Sequence, residues 1–496
     1  GVVWRLSAHG NDRDSRISSI HNKPNFPAPE PRRLDLNPGL TMNRIEARPT
    51  DALSYDPNEP KYWERAKLDA EIDRVFDICH GCRLCFNLCP SFPELFNAVD
   101  AKPDGDVRSL TRAEKDRVID LCYECKLCEV KCPYTPRDQH EFQLDFPALV
   151  LRARAVKGRE NGLGLRQKML GNPDRTGKLG TKLPALANWS CRNALQRRMM
   201  EKLLGIHRDK QLPEFAGETF EKWIARNSLP DAPSEPAAKV AIFHTCFVNY
   251  YNTEPGKALV TVLAKNQCKI ASPPQNCCGM PALEGGDVEF AQKQARANAA
   301  SLLPLARDGY RIAAINPTCS MTIRREYPTL LGTPEARELA AAVADPGEVL
   351  YELRRAGKFN RDFKTTPGKV AYHVPCHLKA QAVGLRGRDL LRQIPGAEVI
   401  TVDACTAHDG TWAMKREFFE LSMKWGGKAF AGMREAEADF MATDCPLAAI
   451  QIEQATGVRP FNPIELLARS YAPLGFARPV PPPEPDTITV EAEEQR

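Results

Sequence analysis

Two runs of the form Cys-x-x-Cys-x-x-Cys-x-x-x-Cys-Pro set the terms on which this chain can fold: Cys79, Cys82, Cys85, Cys89-Pro90 and Cys122, Cys125, Cys128, Cys132-Pro133. A loop with a Cys at every third position wraps three thiolates around one point, while the fourth Cys points away and reaches the other site of a two-cluster ferredoxin. The spacing therefore predicts crossed ligation of two 4Fe-4S clusters. Cys79, Cys82, Cys85 and Cys132 would hold the first, and Cys122, Cys125, Cys128 and Cys89 the second. Structural zinc also uses Cys-x-x-Cys pairs. It leaves the third Cys and the trailing Cys-Pro, each present twice, without a role.

At 496 residues the chain exceeds one ordinary core, and its length predicts about three domains plus tails. Its seventeen Cys cluster at metal-ligand spacings in a long chain with no signal-peptide pattern read at its start, which predicts a reducing cytoplasm rather than a disulfide scaffold. No stretch approaches the roughly 20 apolar residues of a spanning helix, and mean hydropathy is negative. A soluble protein, or one peripheral on the inner membrane face, is expected.

The net charge of +5 conceals an asymmetry. From Arg152 to Lys210 there are fifteen Lys or Arg against four acids, a surplus of eleven, so the remainder is mildly acidic. Such a segment seeks a negative surface. Leu149-Val-Leu-Arg-Ala-Arg-Ala-Val-Lys and Leu195-Gln-Arg-Arg-Met-Met-Glu-Lys-Leu-Leu mix apolar and cationic residues at helical spacing, as interfacial helices do, although a solvated linker helix fits too. Trp189 is the one aromatic there, so the stacking platforms of nucleic-acid binders are missing and no nucleic-acid partner is expected.

Residues 1–60 have no periodic apolar positions and read as an extended or disordered arm; 473–496, Pro-rich and then acidic, read as a second tail. Residues 61–150 form the two-cluster domain, where Thr111 and Glu114 make a capping box that predicts a helix leading into Cys122. Residues 151–236 form a basic helical linker. Beyond it the chain repeats itself. Lys239-Val-Ala-Ile-Phe-His-Thr-Cys246 echoes Lys369-Val-Ala-Tyr-His-Val-Pro-Cys376, and Cys277-Cys278 and Cys319 find counterparts in Cys405 and Cys445 at nearly the same offset. The repeats, 237–366 and 367–472, alternate β-rich runs with Ala-rich helical stretches such as the one from Phe290. Each is therefore α/β with its Cys at the carboxyl ends of parallel strands, where open sheets bind ligands. The whole is an α+β multidomain chain: a helical two-cluster ferredoxin domain followed by a duplicated α/β Cys-Cys-Gly pair.

Cys277-Cys278-Gly279 is the other specific word. Neighbouring side chains diverge in regular structure, so a Cys-Cys pair serves one metal only where the backbone folds around it, and Gly279 permits that. With Cys246 and Cys319 the first repeat offers four thiolates. These residues resemble the Cys-Cys-Gly domains of heterodisulfide reductase subunits and of the iron–sulfur subunits of respiratory glycerol-3-phosphate, glycolate and lactate dehydrogenases. The order of modules over residues 70–470 looks most like the anaerobic glycerol-3-phosphate dehydrogenase C subunits. That family ends each repeat in Cys-x-x-Cys, but here Thr322 and Ala448 stand at the final positions, and the second repeat reads Cys405-Thr406-Ala407-His408. Cys246, Cys277, Cys278 and Cys319 are expected to hold a third iron–sulfur cluster or zinc. Cys376, Cys405 and Cys445, with His408 or His377 as fourth ligand, are a weaker candidate, and Cys191 and Cys268 are expected to be structural.

The chain has no Gly-x-Gly-x-x-Gly opening a βαβ unit, no Walker loop and no Gly-x-Ser-x-Gly elbow. Hydride chemistry is thus expected on another polypeptide. The resemblance implies an iron–sulfur subunit of an oxidoreductase complex, relaying electrons between a flavoprotein dehydrogenase and quinone or another acceptor. It also raises two alternatives: reduction of a disulfide at Cys277 and Cys278, and electron supply to a peroxide-reducing di-iron protein.

Overall fold

The computed structural model describes residues 45–408 and 410–481. Most of the expected first arm and the end of the second tail lie outside that range. Residues 45–60, expected as part of the arm, have little regular structure but are docked: Ala52 and Ser54 are buried, and the Tyr55 hydroxyl donates to Glu71 Oε1 at 2.9 Å.

Five helices build the first domain: α1 (Arg65–Cys82), α2 (Ser91–Asp100), α3 (Arg112–Asp120), α4 (Leu127–Lys131) and α5 (Phe146–Asn161). Leu68, Ile72, Val75 and Phe76 of α1 bury a stripe against Phe92, Leu95 and Phe96 of α2 and Phe146 and Leu149 of α5. The expected capping box opens α3, with Thr111 Oγ1 accepting from the Glu114 amide at 3.3 Å and the Glu114 carboxylate accepting from the Thr111 amide at 2.7 Å.

The interfacial reading of Leu149–Lys157 does not hold. Leu149, Val150, Leu151, Ala153, Ala155 and Val156 are all buried, so α5 is a core helix. Arg152 is fully buried, donating to the carbonyls of Tyr62 at 2.8 Å, Ala52 at 2.9 Å and Lys61 at 2.7 Å. Charge counting missed this because a guanidinium can be spent on backbone carbonyls, which a sequence does not display.

The rest of the basic segment is helical: α6 (Leu165–Leu170), α7 (Pro173–Gly180), α8 (Pro184–Arg192), α9 (Ala194–Leu204) and α10 (Phe220–Asn227). Arg197 of α9 also turns inward, donating to the carbonyls of His207 and Lys210 at 2.7 Å and of Arg208 at 3.0 Å.

The two repeats share one topology. In the first, β1 (Lys239–Phe243) lies between β2 (Lys269–Ala271) and β3 (Arg311–Ala314), with β4 (Val343–Ala344) outside β3, all parallel. In the second, after the short β5 (Thr365–Thr366), β6 (Lys369–His373) lies between β7 (Glu398–Val402) and β8 (Phe440–Thr443), again parallel. The first strand of each repeat is central, so its residues are buried on both faces; Val240 to Phe243 and Val370 to Tyr372 are fully enclosed. A common apolar core joins the sheets through Ile242, Leu259, Val370, Leu390 and Leu466. Part of the expected second tail is structured as well: β9 (Arg478–Pro479) pairs antiparallel with β5.

Candidate metal centres

Cys79 and Cys82 occupy the last turn of α1. Arg83, left-handed at φ 52°, ends the helix and swings the chain so that Cys85 returns toward them. Cys132 arrives from the distant motif, and these four Cys line one cavity walled by Ile78, Phe92 and Phe96. The Tyr134 amide donates to Cys132 Sγ at 3.4 Å. Burial pushes the Cys85 thiol up to about 12 and raises Cys79 and Cys132, and neighbouring thiols add to it. Buried thiols crowded together ionise when a bound cation compensates the charge, so this donor set fits an iron–sulfur cluster.

The second motif turns in the same way, with Lys126 left-handed at φ 58° ahead of α4. Cys89, Cys122 and Cys128 are buried together, Cys128 sensing the charge of both others. Cys125 behaves differently. It has Cys89 within electrostatic reach, but its thiol hydrogen-bonds to Cys405, and it lines a cavity with Cys376, Cys405, Cys445 and His408 of the second repeat. The structure thus gathers the first quartet and three members of the second, and aims the fourth at another domain. The first quartet reaches the surface, where Cys82, Leu84 and Phe86 are exposed; the four Cys of the second motif's quartet are all buried.

In the first repeat, Cys246 follows β1, Cys277 and Cys278 follow β2 and Cys319 follows β3, all at the carboxyl edge of the sheet. Their thiols form a hydrogen-bonded chain: Cys277 with Cys246 and Cys278, and Cys278 with Cys319. Gly279 makes the turn at φ +91°, where an added Cβ would also press on the backbone of Ala291 at 3.3 Å. The loop is clamped from three sides. Asp174 of α7 accepts from the Cys277 amide at 2.8 Å, Asn298 donates to the Cys277 carbonyl at 3.1 Å, and the Tyr327 hydroxyl donates to the Cys278 carbonyl at 3.0 Å. Sequence reasoning did not single out these three clamps, which lie on three different helices outside the Cys-Cys-Gly motif.

In the second repeat, Cys376, Cys405 and Cys445 sit at the equivalent ends of β6, β7 and β8. His377 is excluded as a ligand by its own hydrogen bonds: Nδ1 pairs with Thr318 Oγ1 and Nε2 with the Glu124 carbonyl, both at 2.8 Å. His408 Nε2 stands 3.5 Å from Cys445 Sγ, while its Nδ1 is sealed from solvent with no hydrogen-bond partner among the described residues. Burial lowers the His408 imidazole to about 3, keeping it neutral. Cys268 is buried away from these sites beside the Asn266 carbonyl, and Cys191 is half-buried on α8. Among the described residues, no three or more His, Cys, Asp or Glu side chains stand at the spacing of a single bound ion; the groupings above are looser than that.

The domain families match the architecture. A 4Fe-4S dicluster domain covers residues 78–135, and a cysteine-rich domain occurs twice, at 240–324 and 370–453. The C subunit of the anaerobic glycerol-3-phosphate dehydrogenase of Escherichia coli is 31% identical over 406 residues, covering 81% of this chain and 100% of that protein. The B subunit of the fumarate reductase (CoM/CoB) of Methanothermobacter marburgensis is 26% identical over 285 residues, 54% of each chain. Lactate utilization protein A of Geobacillus kaustophilus is 27% identical over 219 residues, 42% of this chain and 87% of its own. With one 4Fe-4S dicluster domain, two cysteine-rich repeats and similarity along the whole of the Escherichia coli protein, the chain belongs to the family of iron–sulfur proteins typified by the C subunit of anaerobic glycerol-3-phosphate dehydrogenase.

Proposed function

We propose that this chain is the iron–sulfur subunit of an oxidoreductase complex, relaying single electrons between a flavoprotein dehydrogenase and quinone or another acceptor. One 4Fe-4S cluster would be held by Cys79, Cys82, Cys85 and Cys132, and a second by Cys122, Cys125, Cys128 and Cys89. Such clusters take and give one electron at a time, at potentials set by charge, hydrogen bonds and exposure. The observation that carries the proposal is the arrival of Cys132 in the cavity of the first motif's three Cys, across 47 residues of chain from Cys85.

The chain's own residues supply direction. Exposed Leu84 and Phe86 beside Cys82 give a partner protein an apolar landing point over the first quartet, while the second lies inside the core and against the second repeat. Cys246, Cys277, Cys278 and Cys319 would hold a further iron–sulfur cluster or zinc. Cys277 and Cys278 are 1% and 3% exposed, which bars a disulfide substrate from them and favours relay over disulfide reduction.

The chain would also rest on an anionic membrane face. Among the described residues, eight of the twelve exposed large apolar side chains lie on or between α6 and α9: Leu165, Leu179, Leu183, Leu186, Trp189, Leu195, Met199 and Leu203. Lys168, Lys182, Arg192, Arg198 and Lys202 are interspersed among them, the composition of an interfacial surface. No helix among the described residues is long and apolar enough to cross a membrane.

The test is metal analysis and electron paramagnetic resonance of the chain prepared without oxygen. The two ferredoxin clusters account for about 8 Fe with matching sulfide, to which an iron–sulfur cluster on the first repeat would add, and loss of the first motif's cluster on Cys132→Ser, although that residue belongs to the second motif, is the expected result. Full iron and unchanged spectra after Cys132→Ser would overturn the assignment.

A further inference from the structure

The repeats differ at one ligand position, and the difference is filled from outside. Gly279 and Ala407 are equivalent, both with positive φ (91° and 53°) in the loop after the second strand of their repeat. Counting back, Cys277 corresponds to Cys405, and Cys278 to Thr406, which is buried at the wall of the second cavity and carries no thiol. In the first repeat, Cys278 links Cys277 to Cys319. In the second, the thiol that bonds Cys405 besides Cys376 is that of Cys125.

The domains are built to hold Cys125 there. His377 Nε2 meets the Glu124 carbonyl at 2.8 Å, and Trp412 Nε1 donates to the Asp120 carbonyl at 2.9 Å. The rings of Tyr123 and Trp412 pack with centroids 5.2 Å apart. Both flanks of the Cys122–Cys125 loop are therefore pinned to the second repeat. His408, with its orphaned Nδ1 and its Nε2 facing Cys445, is a nitrogen donor at the same cavity.

We propose that the second repeat holds a thiolate-bound metal centre on Cys125, Cys376, Cys405 and Cys445 with His408, and that Cys125, supplied by the ferredoxin domain, replaces the Cys that Thr406 displaced. The repeat is then a working site rather than a degenerate copy. One sulfur stands between the second ferredoxin quartet and the repeat, so electrons leaving that quartet have a ligand-to-ligand exit into the α/β domain. Zinc and an iron–sulfur cluster share this donor chemistry. The inference rests on the reading that the ferredoxin motifs bind clusters.

The test counts iron, sulfide and zinc in the full chain prepared without oxygen, with electron paramagnetic resonance of the reduced form. Cys376→Ser is expected to remove one zinc, or about four Fe with their sulfide, while both ferredoxin signals persist. Cys125→Ser should remove the same metal and disturb the second ferredoxin signal. Adding Thr406→Cys to it should restore the metal but not that signal. Metal content unchanged by Cys376→Ser, or a second repeat that stays loaded after Cys125→Ser, overturns the proposal. If these variants fold poorly, the unaltered chain decides: two centres beyond the ferredoxin clusters, each one zinc or about four Fe, support the proposal, because the first repeat accounts for one of them, whereas one such centre or none refutes it and leaves the two-cluster reading standing. A nitrogen scatterer at the metal in X-ray absorption, lost with His408→Gln, supports it.

Discussion

Replacing Arg152 with Met separates two pictures of the basic segment. If Arg152 were an interfacial charge, the change would weaken membrane binding and leave stability within about 0.5 kcal/mol, as at ordinary surface positions. In the structure its guanidinium is buried and satisfies the carbonyls of Ala52, Lys61 and Tyr62 at 2.7 to 2.9 Å. Met keeps the apolar stem but donates nothing. Each stranded carbonyl costs about 1–3 kcal/mol. Three of them, with Lys61 half-buried and open to some water, give a loss of about 3–5 kcal/mol. With an m-value of about 3 kcal/mol/M for a chain of this size, the urea midpoint of the helical signal falls by about 1 M or more. The assay is anaerobic urea unfolding followed by circular dichroism, alongside cluster absorption, because Cys79 and Cys82 lie on α1, which follows directly on the segment that Arg152 fastens. A midpoint within about 0.2 M of the unaltered chain would refute the role assigned to Arg152, as would a loss of vesicle binding at unchanged stability.

The membrane-facing surface predicts a different pattern: Leu186→Glu with Leu203→Glu should lower binding to anionic vesicles at least tenfold at low salt, leaving the unfolding midpoint in place. Equal vesicle binding by both chains would remove that surface from consideration. Lys210 gives a prediction in pH. Burial lowers its ammonium to about 7, so between about 7 and the ordinary 10.5 the unfolded chain holds a proton that the folded chain does not. Stability therefore rises with pH across that window, by up to about 1.4 kcal/mol per unit and about 5 kcal/mol in all, and the full cost of the buried charge is felt below pH 7. Lys210→Met should flatten that rise relative to the unaltered chain; parallel stability curves from pH 7 to 10 would show that Lys210 is charged in the fold.

What could be read in the sequence follows the range of the interactions involved. The ferredoxin spacing is local, and Cys79, Cys82, Cys85 and Cys132 line one cavity because Arg83 ends α1 where Cys85 must turn back. The repeat was legible because duplicated strands bring duplicated Cys to the same sheet edge. Two things were hidden. The sign and number of charges from Arg152 to Lys210 say nothing about direction, and Arg152, Arg197 and Lys210 point inward to carbonyls or to Gln451. The meeting of Cys125 with Cys405 joins residues 280 positions apart, and no local periodicity encodes it. Only the missing thiol at Thr406 hinted that a ligand had to come from elsewhere.

The packing of the Cys122–Cys125 loop under Trp412 and His377 also imposes a schedule on biogenesis. The covering segment begins 244 residues after Cys132, at Cys376. At about 5–20 residues per second of synthesis, the second quartet stands open on the ribosome for roughly 12–50 s before its lid exists. Cofactor loading there is a race against translation. A chain whose second repeat closes first would have to reopen an interface to be matured, so iron starvation during synthesis should leave the inner quartet empty more persistently than the outer one.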